Sequence, residues 1–382
     1  MPHLLYIGQT PAEGTGSPVI ILRHLTRLAA AGWKISLIAE PGRATAAPLP
    51  VEWTRFTLPV RRGWWPPFRH GVTVSRTVRT WLLAGECARL TADAPPDAVL
   101  GYLAAHDDFY AEIAARYARR TGVPLSLLVH DDAAAFATAP RDRQRLRRRH
   151  AWILRQAHRN WFVSPELAAT YGLPAEHQQV LPPIPAGRFR FGEWQSAFST
   201  TPRIYYAGFI WPAQFPLLRK IAQTLAEAGA SLVLLTRETP ELMEFLTTTP
   251  LTHVAAFDSN GAALDHLATS AAGVVVSYAD NVEQMPWIAT SFPSKLVEYA
   301  QLGLPCAIVA PPDSAVGRWA QRTGYADCFG AGELDRLAAW AHDLRREATW
   351  QWRSTSARAL AHGEFSPEKI QATFAAGLRR PA

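Results

Sequence analysis

The sequence predicts an α/β protein made of two successive doubly wound parallel sheets. Three observations carry that prediction. Short apolar runs rich in β-branched residues alternate with helical patterns along most of the chain. The alternation lapses once, over 181–202, in a stretch rich in Pro, Gly and Ser, and then restarts. At 382 residues, the chain is also long for a single domain. Strands apolar on both faces belong to a parallel sheet covered on each side by helices.

In order, "LLYI" (4–7) is the first strand, followed by a Gly/Pro/Thr loop and a helix from Val19 to Ala31 that Gly32 stops. "ISLIA" (35–39) is the next strand, and the beat recurs as "DAVLGYL" (97–103), a helix from Asp108 to Arg120, and "PLSLLV" (124–129). Beyond 181–202 come "RIYYAG" (203–208), a helix over 215–228, "SLVLLT" (231–236), a helix over 239–247 and "THVAAF" (252–257). A helix over 261–269, "GVVVS" (273–277), a helix near 294–302 and "PCAIVA" (305–310) complete the second series. Helical segments close the chain, the last opened by Ser366 as a cap and Pro367 in the first turn. Sheets of this kind bind ligands at the carboxyl ends of their strands.

Composition narrows the function. Hydrophobic residues make up 48% of the chain and charged ones 19%, yet no apolar run approaches the roughly 20 residues of a membrane span. "MPHLLYIGQT" lacks the basic start and long apolar centre of a signal peptide. Cys87, Cys306 and Cys328 are odd in number and far apart, which fits neither a disulfide framework nor a zinc site and points to a reducing cytoplasm. The net charge of +7 favours an anionic partner, whether a phosphorylated ligand, nucleic acid or a lipid surface.

"SFPSKLVEYAQLGLPCAIVAPPDSAVG" (291–317) reads as a loop, a short helix, a stop and a buried strand. Leu296, Tyr299, Ala300 and Gly303 recur at three- and four-residue spacing, Gly303 suits a left-handed cap, and Pro305 bars continuation. Lys295 and Glu298, three apart, share one side of this helix. Free N–H groups at its start, with Ser294 and Lys295, suit a phosphate, and Glu298 suits two neighbouring hydroxyls such as those of a ribose. A capped helix with a solvated Lys–Glu pair reads equally well.

Four other stretches carry candidate chemistry. The loop after the first strand holds Gly14 and Gly16, which admit close approach of a ligand but do not form a dinucleotide fingerprint; a plain strand–helix connection is the alternative. "LSLLVHDDAAAF" (125–136) sets His130, Asp131 and Asp132 at a strand's carboxyl end, where an Asp can orient the imidazole or bind a hydroxyl. "VSYADNVEQMPWIATSF" (276–292) is a polar loop offering Asp280, Asn281 and Glu283. Six arginines crowd 141–149 and read as a solvated face, while Trp64, Trp65 and Phe68 interleave with Arg in 60–76 as at a membrane interface or an aromatic groove.

"FPSKLVEYAQLGLPCAIVA" resembles the C-terminal signature of the retaining glycosyltransferases of family four. That resemblance implies the GT-B fold: two Rossmann-like domains, 1–185 and 186–364, facing a cleft, with a C-terminal helix (365–382) crossing back to the first. It implies transfer of a sugar from a nucleotide-diphosphate donor, UDP- or GDP-linked, to a hydroxyl on a sugar, glycan or lipid-linked acceptor in polysaccharide or glycolipid synthesis. Retention by same-face displacement follows, with no metal and no further cofactor. In the family's pattern Glu298 binds the ribose, His130 and Asp131 face sugar and acceptor as catalytic residues, and the Gly14–Gly16 loop lies on the acceptor side. Gly208 is the glycine of the diphosphate loop. The chain departs from the pattern at Thr290, where a first glutamate stands, and at Phe209 and Gln214, where a basic pair stands; Lys295 and Arg237 are left to supply charge. A cytoplasmic enzyme touching an anionic membrane and no nucleic acid is the expectation. The alternatives are a GT-B nucleotide-sugar epimerase or hydrolase, or an inactive GT-B-like binding protein.

Overall fold

The computed structural model describes residues 1–14, 16–39, 49, 50, 52–58, 72–103, 108–187 and 189–379, with the side chains of 72–75 left out. Trp64, Trp65 and Phe68 therefore lie outside the described residues. Two units make up the chain, Met1–Leu181 with Gln371–Ala382, and Pro182–Ile370.

The first unit runs β1 (His3–Gly8), α1 (Ser17–Ala30), β2 (Lys34–Ala39), β3 (Thr54–Phe56), α2 (Val72–Leu90), β4 (Ala98–Leu103), α3 (Phe109–Thr121), β5 (Leu125–Val129), α4 (Pro140–Leu154), β6 (Arg159–Phe162), α5 (Pro165–Ala169) and β7 (Gln178–Val180). Its seven strands lie in the order β3-β2-β1-β4-β5-β6-β7, and every pairing is parallel. Central strands are buried along their whole length because helices cover both faces, whereas β3, at an edge, is partly exposed. In α1, Pro18 occupies the first turn, where a missing N–H costs nothing, and Ile20, Ile21, His24, Leu25 and Leu28 form the buried stripe. Gly32, at φ 84°, then turns the chain into β2, as the sequence predicts.

The second unit continues with β8 (Arg203–Ala207), α6 (Phe215–Glu227), β9 (Ser231–Thr236), α7 (Pro240–Thr247), β10 (Thr252–Ala255), α8 (Asn260–Ser270), β11 (Gly273–Ser277), α9 (Ser294–Ala300), β12 (Cys306–Val309), α10 (Ala315–Thr323), β13 (Cys328–Phe329), α11 (Leu334–Asp343) and α12 (Glu347–His362). The six parallel strands are ordered β10-β9-β8-β11-β12-β13. Packing at the start of β11 is tight enough to require glycine: a Cβ on Gly273 would meet Trp340 at 2.8 Å. Trp350 fills the same region, fully buried, and its indole N–H donates to Ala272 O at 2.7 Å.

The last helix, α13 (Pro367–Gly377), begins in the second unit and ends in the first. Phe374 stacks on His24 at 4.0 Å and tilts against Trp161 at 4.7 Å. Gly377 O accepts hydrogen bonds from Ser126 Oγ (3.3 Å) and from His158 Nε2 (3.0 Å). Among the described residues no helix is long and apolar enough to cross a membrane.

One helix is shorter than expected. α9 stops at Ala300 rather than near 302, because the N–H groups of Gln301, Leu302 and Gly303 bond three residues back and tighten the last turn. Gly303 still provides the left-handed exit, at φ 57°.

Candidate functional site

In an open parallel sheet, the crevice for a ligand opens where the strand order reverses. In the second unit that point lies between β8 and β11, and the loops after these two strands flank it. Gly208 follows β8 at φ 101°, and its N–H closes onto Leu235 O at 2.9 Å. A Cβ there would stand 3.0 Å from Lys295 Cε and 3.5 Å from Nζ, so the bare glycine lets the lysine lie across the backbone. The ammonium donates to Phe209 O at 3.0 Å and to the Tyr206 hydroxyl, and sits 3.7 Å from the centre of the Tyr206 ring. Burial lowers its pKa to about 7.

Two tyrosines hold this arrangement in place. β8 pairs with β11 only through Ile204 and Tyr205, which leaves the backbone of Ala207 at the strand end to find other partners. The Tyr299 hydroxyl accepts from Ala207 N at 2.8 Å and donates to Ala207 O at 3.2 Å, pinning α9 to the tip of β8. Tyr206 in turn donates to Phe209 O at 2.9 Å and shapes the loop from beneath. Gln214, at the position of an expected cation, is buried: its amide donates to Ser277 O at 2.5 Å, and its carbonyl accepts from Trp211 N at 2.9 Å. It ties the two crevice loops together and brings no charge.

The other residues singled out from the sequence fall out differently. Glu298, half-buried one turn beyond Lys295, accepts from Ala186 N at 3.4 Å. Ser294 is exposed at the start of α9, and Arg237 is exposed directly after β9. The Thr290 hydroxyl donates to Trp287 O at 3.3 Å within its own turn. In the loop after β11, Asp280 is paired with Lys220 at 2.9 Å, Asn281 accepts from Gln284 N at 3.0 Å, and Glu283 is exposed. Unforeseen is an aromatic cluster beside Lys295, with Phe209 against Trp211 at 5.2 Å and Trp211 against Trp287 at 5.0 Å.

In the first unit the strand order reverses between β1 and β4. Gly14 (φ 120°) and Gly16 (φ 80°), in the loop after β1, are exposed and have conformations that favour glycine. His130 follows β5, is buried, and meets the Tyr102 ring edge-on at 5.3 Å; burial lowers its pKa to about 4. The Tyr102 hydroxyl bonds to Ser17 Oγ and joins the end of β4 to the start of α1. Asp131 is half-buried beside the histidine. Asp132 is a structural residue: Oδ1 accepts from Ala134 N at 3.0 Å and from the Tyr171 hydroxyl at 3.1 Å, and Arg147 lies 3.5 Å from Oδ2. The arginine run lies on α4, largely exposed, with Arg147 and Arg149 drawn to Asp132 and Asp108. No group of three or more His, Cys, Asp or Glu among the described residues could hold a metal ion.

Comparison with known proteins agrees with this architecture. No curated protein sequence matches the chain. The Anabaena protein HepE, solved with UDP and glucose, superposes with a TM-score of 0.64 at 13% identity, over 99% of each chain. An α,α-trehalose-phosphate synthase (UDP-forming) from Burkholderia vietnamiensis gives 0.63 at 13% identity, over 99% of this chain and 97% of that one. The lipopolysaccharide outer core galactosyltransferase WaaB gives 0.60 at 10% identity, over 98% and 99%. Residues 15–183 match the Glycosyl transferase 4-like domain, and the chain as a whole has the fold of the GT-B glycosyltransferases.

Proposed function

We propose that the chain is a glycosyltransferase that moves a sugar, with retention, from a nucleoside-diphosphate donor to a hydroxyl acceptor in polysaccharide or glycolipid synthesis. The observation that carries this reading is Lys295 lying across Gly208 at the strand-reversal point of the second unit. An ammonium held among a ring, a hydroxyl and a carbonyl, with no carboxylate bonded to it among the described residues, is ready for an anion. A diphosphate there would place its leaving charge on Lys295, while Glu298, on the same helix, takes the ribose hydroxyls. HepE has been solved with UDP-glucose, which supports a uridine nucleotide as donor.

On this reading, catalysis is positioning plus stabilisation of the departing diphosphate. His130 and Asp131 in the first unit face the sugar and the acceptor, with Gly14 and Gly16 leaving room for them. Thr290 stands on the sugar side in place of a glutamate, and Arg237 adds positive charge at the end of β9. The reaction uses no metal.

A thermal-shift panel of UDP, GDP and ADP with their sugars tests the donor site. Stabilisation by one base is expected, and a panel with no shift at millimolar ligand sinks the reading. Glu298→Ala is expected to raise the donor KM roughly tenfold with kcat little changed, the signature of lost uniform binding. Steady-state kinetics in which KM stays put would remove Glu298 from the site.

The lysine also sets a pH dependence. Its pKa of about 7 in the free protein must rise when an anion binds, since the anion favours the protonated form. Affinity for the diphosphate is therefore full below pH 7 and falls as pH rises above it, by up to about tenfold per unit. Calorimetric titrations between pH 6 and pH 9 read this directly. Lys295→Arg, which stays charged throughout, is expected to abolish the slope.

A further inference from the structure

Between the sheet of the first unit and α1 lies a strip of polar side chains that the donor site does not use. The strand register puts it together. Tyr6 pairs with Leu100, Tyr102 with Leu128, and alternate residues share a face, so Tyr6, Tyr102 and His130 line one side of the sheet. Ser126 is on that side too, bonded to Gly377 O of α13.

His24 of α1 is fully buried. Its Nδ1 lies 2.8 Å from Gln371 Oε1, and the same glutamine donates from Nε2 to the backbone O of His24 at 3.3 Å. Because a carbonyl can only accept, the amide nitrogen must face it. The amide oxygen then faces Nδ1, and Nδ1 carries the hydrogen. Phe374 stacks on the ring and holds its plane. The opposite nitrogen, Nε2, is thus a bare lone pair, buried and without a hydrogen-bond partner among the described residues; the Tyr6 hydroxyl is buried and unpartnered too. An orphaned buried acceptor of this kind is costly, so something that can donate to it is needed.

We infer that His24 is a positioning residue for His130, and that the C-terminal helix sets its tautomer through Gln371. This rests on the reading that His130 faces the sugar. The bare Nε2 accepts a proton from the His130 side of the strip through one bridging water. That bond selects which His130 nitrogen keeps its hydrogen and which stays open to substrate. The Tyr102 hydroxyl, on the His130 face of the sheet, bonds to Ser17 Oγ, so that α1, which carries His24, packs against that face. Tyr102 meets the His130 ring from β4, and Asp131 follows it in the chain. Burial takes His24 to about 3 and His130 to about 4, so near neutrality both rings act through their tautomers rather than through charge.

The test is nitrogen NMR on the full chain labelled at histidine, with His130→Gln used to assign the His130 signals. In the wild type His24 is expected as a single Nδ1–H tautomer. Gln371→Leu is expected to bring in the Nε2–H form, move the His130 nitrogen signals, and lower kcat about tenfold with KM nearly unchanged. Gln371→Glu, which still accepts from Nδ1–H but cannot donate to His24 O, is expected to bring back the Nδ1–H tautomer and the His130 nitrogen signals. Unmoved His130 signals in a folded Gln371→Leu protein overturn the inference. Should that variant lose its cooperative melt, His24→Gln gives the same reading, and His130 signals unmoved there overturn it as well. Loss of the reading itself is distinct: wild-type kcat in His130→Gln would remove His130 from the chemistry while leaving the tautomer coupling measurable.

Discussion

Alanine at Lys295 is expected to lower kcat/KM for the nucleotide-sugar donor about 100- to 1000-fold, with the melting temperature unchanged or slightly raised. The first part follows from the proposed role of Lys295 as the cation that meets the departing diphosphate, where one such contact is worth about 3–4 kcal/mol. The second follows from its surroundings. The ammonium sits against Tyr206 and Phe209 O, with no carboxylate among the described residues to offset its dehydration. Losing it therefore relieves a cost as well as removing contacts. A loss of less than about threefold would show that the diphosphate is held elsewhere.

The largest effect on stability is expected at Asp108. This carboxylate, 7% exposed, accepts from Arg76, and from Arg149 at 3.2 Å, with His150 Nε2 also 3.2 Å away. Arg76 continues to Glu112 at 3.1 Å, and Glu112 takes Arg116 at 2.8 Å and the Thr80 hydroxyl at 2.8 Å. The network thereby ties α2, α3 and α4 together. Asp108→Ala strands guanidinium groups in a half-buried site, and about 3–5 kcal/mol of unfolding free energy should be lost. Burial alone would raise the Asp108 carboxyl, but the His150 bond and the charges of Arg76 and Arg149 outweigh it and hold the pKa well below its ordinary 3.8. Since the folded value is the lower one, the contribution is present above that ordinary value and disappears as pH falls through the folded one. Urea titrations at neutral pH check the first statement, and the same titrations repeated toward pH 3 check the second. An alanine variant within about 1 kcal/mol of wild type would refute the network's role.

Much of the second sheet could be read directly because its strands are buried on both faces, so that "GVVVS" and "SLVLLT" stand out as unbroken apolar runs. Strands β3 and β7 carry no such run, being short and partly exposed at the two edges of the first sheet. β6 is masked by its polar start: Asn160 is buried only because its amide reaches Leu154 O and His177 O, both at 3.2 Å. Helix α4 shows as a charge run because its buried residues, His150, Ile153 and Leu154, all fall near its end.

The candidate site divides in the same way. Lys295 and Glu298 were legible since they sit on one short helix and their spacing is local. Gly208 as the seat of the lysine was not, because the two are far apart in the chain. Tyr206 and Tyr299 look like ordinary core aromatics, and only the hydroxyl bonds to Phe209 O and Ala207 show their purpose. Gln214 reads as a lost cation until its buried bonds are seen. His24 carries no signal at all, because its partner Gln371 arrives from the far end of the sequence.

That late arrival bears on how the protein is made. Ribosomes deliver residues in order, so the whole of 182–370 emerges before the segment that stacks on His24 and Trp161. The second unit is contiguous and can fold while synthesis continues, whereas the first waits with an apolar groove uncovered until Gln371 to Leu378 have been added. A nascent chain stalled short of residue 371 would expose that groove to chaperones and proteases, and only a chain that has reached Leu378 would close it.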